Sequence, residues 1–100
     1  MTSKWIPTTN LMELRRLGKL SEECGELSAI AGRCIIQGLD GKEPTTGKVN
    51  RLALQEELAD LQAQIGCCVL AFDLDQDAMA KRTAHKIGLM AEWEDMFRGN

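Results

Sequence analysis

No stretch of roughly 18 uncharged apolar residues occurs anywhere in the chain, so no helix is expected to span a membrane. No hydrophobic run follows Met1-Thr2-Ser3-Lys4-Trp5, so a secretory signal is not expected and the reading is of a soluble, cytoplasmic protein. Basic runs, aromatic-rich strand patterns and zinc-finger spacings are also missing, and the net charge is −3, which argues against a phosphate-backbone binder. A P-loop mechanism is excluded because no GxxxxGKS/T run is present. The only histidine, His85, does not stand three residues after a glutamate, as the ExxH motifs of di-iron bundles require. His85 therefore reads as an ordinary surface or interface residue. No segment sustains apolar and polar alternation with a period of two, which leaves an all-α chain.

Four cysteines, Cys24, Cys34, Cys67 and Cys68, all fall within expected helices. Adjacent Cys67 and Cys68 lack metal-ligand spacing, and the set reads as small core residues in a reducing compartment rather than as disulfides. One hundred residues make a single helical domain, 1–100, with a limited core. Association into a homodimer or homotetramer would add the missing burial, so the expected architecture is an antiparallel helical bundle completed by oligomerisation.

Helix signals divide the chain into three. After Pro7, Thr8 or Thr9 is placed to cap a first helix whose apolar stripe runs through Leu11, Leu14, Leu17 and Leu20 to about Ile36. Gly18 and Gly25 are expected to weaken, split or bend it. Turn residues crowd Gly38 to Gly47, predicting a mobile loop, and a second helix is predicted from about Lys48 to Phe72. Asp75 is a good N-cap for a third helix reaching about Phe97, with Leu74 and Met79 spaced as a hydrophobic staple.

What the chain does have is an internal repeat. Ser21-Glu22-Glu23-Cys24-Gly25-Glu26-Leu27 and Gln55-Glu56-Glu57-Leu58-Ala59-Asp60-Leu61 carry the same carboxylate pattern, Glu22 matching Glu56, Glu23 matching Glu57 and Glu26 matching Asp60. A helix advances about 100° per residue. With Glu22 at zero, Leu20, Cys24, Leu27, Ala31 and Cys34 lie at roughly 160°, Glu23 at about 100° and Glu26 at about 40°. With Glu56 at zero, Leu54, Leu58, Leu61, Ile65 and Cys68 occupy that same arc, while Glu57 falls at about 100°, Gln64 at about 80° and Asp60 at about 40°. Glu23, Glu26, Glu57 and Asp60 thus flank the apolar stripes where two such helices would pack. Their convergence is costly in like-charge repulsion and desolvation unless a cation neutralises it. Oxygen-only ligands suit magnesium, manganese or calcium better than zinc. Glu22 and Glu56 point furthest from the apolar arc and read as solvent-facing or supporting groups. Without the six motif acids the remaining chain has nine acidic and twelve basic residues, so the acidity is concentrated at this site.

Lys19-Leu20-Ser21-Glu22-Glu23-Cys24-Gly25-Glu26-Leu27, then Glu56-Glu57-Leu58-Ala59-Asp60-Leu61, then Asp73-Leu74-Asp75-Gln76-Asp77-Ala78 leading into a basic helix, resemble MazG-like all-α nucleoside triphosphate pyrophosphohydrolases. The resemblance covers roughly Leu17 to Lys86. It implies a magnesium-dependent hydrolase, with manganese a possible substitute, that converts a nucleoside triphosphate to the monophosphate and pyrophosphate. Carried over by motif position, Glu23, Glu26, Glu57 and Asp60 would be the catalytic metal ligands. Two departures stand out. The interval between Glu26 and Glu57 is longer than in compact members, and the downstream KxxKN pattern is reduced to Arg82, His85 and Lys86 without the asparagine.

Cations are needed against a triphosphate, and Lys19, Lys81, Arg82 and Lys86 are the candidates. Trp5 and Trp93 have indole faces able to stack on a base, although packing at a core or subunit edge is the commoner role. Asn10 and Gln64 are candidates for reading a base edge or holding a water. Two other functions fit the same residues: hydrolysis of phosphoribosyl-ATP, and a metal-binding helical interaction protein without hydrolysis.

Overall fold

The computed structural model describes residues 4–99, which form three α-helices in the order α1 (Leu11–Gln37), α2 (Asn50–Ala71) and α3 (Gln76–Arg98). No strand occurs among the described residues beyond a single bridge between Lys42 and Val49. No helix among them is long and apolar enough to cross a membrane. Met1 to Ser3 of the N-terminal reading lie outside the described residues.

The cap of α1 is Asn10 rather than Thr8 or Thr9. Its side chain accepts the Glu13 N–H at 3.0 Å, while the Thr8 hydroxyl accepts the Asn10 N–H at 3.3 Å and donates to the Glu13 carboxylate at 3.0 Å. Asn10 is therefore engaged in capping. Gly18 and Gly25 do not split α1, which runs unbroken to a Gly38 cap with φ 87°. Asp75 caps α3 as expected, accepting the Ala78 N–H at 2.9 Å.

The segment from Gly38 to Val49, expected as a loose loop, is a hydrogen-bonded turn. The Arg51 N–H reaches Leu39 O at 2.8 Å, the Asn50 N–H reaches Gly41 O at 2.9 Å, and the Glu43 N–H reaches Lys48 O at 2.9 Å. The Arg51 guanidinium grips Asp40 with two bonds of 3.0 and 3.1 Å. Glycine is required at Gly41, where a Cβ would stand 2.5 Å from Gln37 O.

Asn50 locks this turn against α1. It is fully buried; its Nδ2 donates to Gln37 Oε1 at 3.0 Å and Gly38 O at 3.1 Å, and its Oδ1 accepts from Arg33 Nε at 3.0 Å. Asn50→Ala strands three polar partners, so chemical denaturation should show a loss of about 2–3 kcal/mol. An unchanged midpoint would mean that water replaces all three bonds.

α1 and α2 form an antiparallel hairpin, the only pair of helices among the described residues with an extended packed interface. Buried and half-buried positions trace its seam: Glu13, Arg16, Leu20, Glu23, Leu27, Ile30 and Cys34 on α1, and Ala53, Leu54, Glu57, Leu61, Gln64 and Cys68 on α2, followed by Phe72 at its C-cap. The α1 spacings alternate between three and four residues, the periodicity of helices packed along their length. On the wheel this seam is centred at about 120°, closer to the acids than the apolar arc, which is centred at about 160°. Glu23 and Glu57 consequently lie inside the seam instead of flanking it. The far side of the apolar arc, with Leu17, Cys24 and Ala31 on α1 and Leu58 and Ile65 on α2, is largely left outside the contact. Of the four cysteines, all free, Cys68 is buried and Cys34 half-buried, whereas Cys24 and Cys67 are exposed and are not core residues.

α3 meets α2 only around the connecting turn, where Gly66, Val69 and Leu70 line a groove with Met79, Ala80 and Thr83. That turn carries Asp73 at φ 51°, a left-handed conformation that aspartate tolerates. Beyond it, α3 leaves the hairpin, and none of its residues is buried.

Candidate metal centre

The internal repeat places its acids opposite one another because the helices run antiparallel and use the same wheel positions for their seam. Glu23, Glu57 and Asp60 offer carboxylate oxygens that all lie within 4.8 Å of one another. Glu22, Glu23 and Glu26 form a second such group, so Glu23 belongs to both. All four acids singled out from the sequence are thus gathered at the middle of the hairpin, joined by Glu22. Glu23 and Glu57 form the floor, and Glu26 and Asp60 form an exposed rim on one side.

The two groups differ in how their charge is balanced. Lys19 donates to Glu22 at 3.1 Å and stands 3.7 Å from Glu23 Oε1, so the first group has a cation at its edge. The neighbouring carboxylates, Glu22 foremost, hold the Lys19 ammonium above its ordinary pKa. Glu56 is drawn away into an ion pair with Lys48. None of the ion pairs found among the described residues involves Glu26, Glu57 or Asp60.

Burial and repulsion both act on the floor. Glu23 retains 7% of its accessible surface, and its Oε2 and that of Glu57 are buried without a hydrogen-bond partner. Desolvation, then the charge of Glu26 and a hydrogen bond shared with the Glu23 carboxylate, raises the Glu57 carboxyl to about 7. Buried polar atoms are nearly always satisfied, so two orphaned carboxylate oxygens at one spot call for a missing partner. A divalent ion with oxygen ligands fits this donor set: three or four carboxylates, no sulfur and no imidazole.

The remaining sequence candidates are dispersed. Gln64 is half-buried in the seam, two helical turns along α2 from Glu57. Lys81, Arg82 and Lys86 are exposed on α3 and make no ion pair with the four carboxylates; Arg82 and Lys86 line a shallow groove on α3 itself. His85 is exposed, in keeping with a surface position. Trp5 is exposed under the Lys4 ammonium, 5.6 Å from its ring centre, and Trp93 meets Phe97 edge to face at 5.1 Å. Two features escape sequence reasoning. The wheel sets Glu22 apart from the seam, yet its side chain joins Glu23 and Glu26 in one group of acids. Asn50 has as its only local signal a polar residue at the junction of a turn-rich run and a helix.

Comparison of the chain with family models, with curated proteins and with solved structures finds no match.

Proposed function

We propose that the chain is a magnesium-dependent nucleoside triphosphate pyrophosphohydrolase of the MazG-like kind. Water would add across the α–β phosphoanhydride, its hydroxyl going to the α-phosphorus and pyrophosphate departing, to leave the nucleoside monophosphate. The observation that carries this reading is the uncompensated floor of the site: buried Glu23 and proton-holding Glu57, each with an orphaned oxygen, beside Asp60.

Glu23, Glu57 and Asp60 would hold the ion from the two helices, with Glu26 at the rim. Magnesium bound there would supply positive charge against the phosphates and lower the pKa of a water. Glu57, whose carboxyl holds a proton up to about pH 7 in the ion-free site, would release it on ligating the ion, so binding would strengthen as the pH rises. Lys19 keeps an ammonium at the edge of the carboxylates, within reach of an incoming phosphate once its hold on Glu22 loosens. No covalent nucleophile is needed.

A second reading, a metal-binding interaction protein without hydrolysis, is favoured by one observation: Lys81, Arg82 and Lys86 stay on α3, apart from the carboxylates of the same chain. Pyrophosphate release from a panel of deoxy- and ribonucleoside triphosphates and phosphoribosyl-ATP, with magnesium and with EDTA, decides between them. Release that vanishes in EDTA is the expected outcome, and turnover of phosphoribosyl-ATP alone would redirect the substrate. Magnesium binding with no release from any nucleotide would leave the interaction protein.

A further inference from the structure

Two arginines among the described residues are half-buried, Arg16 and Arg33, and they are provided for differently. Arg33 donates its Nε to Asn50 Oδ1 at 3.0 Å. Arg16 lies in the seam between α1 and α2 with its Nε buried and without a hydrogen-bond partner, and none of the ion pairs among the described residues includes it. The acids nearest it along the α1 seam are engaged elsewhere: Glu13 accepts the Thr8 hydroxyl at 3.0 Å, and Glu23 faces Lys19 at 3.7 Å.

An arginine that served only to pack its stem would carry its head group out to water, as long charged side chains do. Here the Nε has neither water nor an acceptor, and a guanidinium cannot shed its proton to relieve the mismatch. The mismatch is opposite in sign to the one at the acids. Glu23 and Glu57 each have an orphaned oxygen and call for a cation, whereas Arg16 has an orphaned donor and calls for an anion. Both stand on one face of α1. Arg16 falls at about 120° on the wheel against about 100° for Glu23, and the seven residues from one to the other amount to about 10 Å along the axis.

We infer that Arg16 is a substrate-binding residue, taking two oxygens of a phosphoryl group on the Nε and Nη edge of its guanidinium. The ligand is a di- or triphosphate whose remaining charge is met by the ion at Glu23, Glu57 and Asp60, so the inference rests on the metal centre proposed above. The separation decides the class of ligand. A single small oxyanion would meet the guanidinium or the ion, whereas a chain of phosphates carries negative charge to both. Arginine's planar fork matches two phosphate oxygens, and lysine offers only a point charge. Lys19, at about 60°, turns toward the rim, which leaves Arg16 as the cation of the seam itself.

Calorimetric titration of magnesium pyrophosphate into the full chain, beside manganese binding read by electron paramagnetic resonance, is the test. Wild type should bind pyrophosphate. Arg16→Met should weaken that binding about 10–100-fold, the worth of charge-assisted hydrogen bonds, and Arg16→Lys should recover only part of it. Arg51→Met, which removes an exposed cation at about 220° on the α2 wheel, opposite the acidic rim, should leave the affinity unchanged. Two further readouts exclude a merely structural role: ion-free Arg16→Met should melt no lower than wild type, because a cation without a partner adds no stability, and it should bind manganese alone as tightly. Manganese binding without pyrophosphate affinity, or with equal affinity in wild type and Arg16→Met, overturns the assignment of Arg16 and leaves the metal centre standing. Absence of manganese binding by wild type overturns the metal centre and this inference with it.

Discussion

Glu23→Gln is expected to abolish pyrophosphate release while raising the melting temperature of the metal-free protein. The two effects have opposite signs because, on the proposed reading, Glu23 is a stabilising group only when an ion is present. Its carboxylate is buried beside Glu57, Asp60 and Glu26, with Lys19 as its ion-pair partner at 3.7 Å. That pair is long, and half-exposed Lys19 is engaged mainly with Glu22, so its loss costs little. Removing one negative charge from the cluster relieves repulsion, and the glutamine amide donates where a carboxylate cannot. Activity responds differently. Losing even an outer partner of a metal ligand costs roughly 10–100-fold, so if Glu23 is the shared ligand proposed above its loss should exceed about 100-fold. Asp60→Asn should behave likewise, with a smaller thermal effect because its side chain is exposed. Far-UV circular dichroism and thermal melts beside the pyrophosphate assay check this. A collapse of helicity in Glu23→Gln would assign the carboxylate a structural role instead.

Without divalent ions, stability should peak near pH 4.5 and fall on both sides. On the alkaline side the cause is Glu57, raised from 4.5 to about 7 by burial and by its neighbours' charges. Between those values the folded state holds a proton that the unfolded state has released. The stabilisation is therefore complete below about 4.5 and lost as the pH rises through about 7. With Asp40, lowered by its hydrogen bond and charge pairing with Arg51, adding to it, the main cause on the acid side is Glu43, lowered to about 2 by hydrogen bonds from the Thr45 and Thr46 backbone. Its contribution is complete above about 4.5 and lost as the pH falls toward 2. On the proposed reading magnesium should reverse the alkaline arm, by taking the place of the proton on Glu57. At 100 times its dissociation constant a ligand adds about 2.7 kcal/mol. For a domain of this size that corresponds to roughly 10–20 °C in melting temperature. Melts across pH at one protein concentration, with magnesium and with EDTA, read both arms. Glu57→Gln should flatten the alkaline arm alone; an arm that persists in this variant would place the responsible proton elsewhere.

The acids of the site are legible in the sequence because their information is local. Residues three or four apart share a helix face whatever surrounds the helix, so ExxE on α1 and ExxD on α2 can be placed on one shoulder by counting. The same holds for the three helices and for Asp75 as a cap, since periodicity and capping involve only a turn or two of chain. Asn10 is not singled out as a cap by the same means, because Thr8, Thr9 and Asn10 are all competent. In the structure the Asn10 side chain accepts the Glu13 N–H, while the Thr8 hydroxyl is engaged with the Glu13 carboxylate five residues on.

How each helix is turned about its own axis lies beyond such counting. The apolar arc admits any seam that covers part of it, and the structure takes the part nearest Glu23 and Glu57. That choice puts two carboxylates inside the contact and leaves Leu58 and Ile65 outside it. Rotation is set by the sum of burial over every surface the helix meets, including those supplied from outside the chain. The sequence by itself therefore determined the helices, their boundaries to within a few residues, and the common face of the acids. The tertiary structure alone decided that Glu23 is buried, that Asn50 ties the turn to α1, and that α3 stands away from the hairpin. Those outcomes depend on contacts between residues distant in the chain, and no local pattern encodes which of several apolar surfaces is covered first.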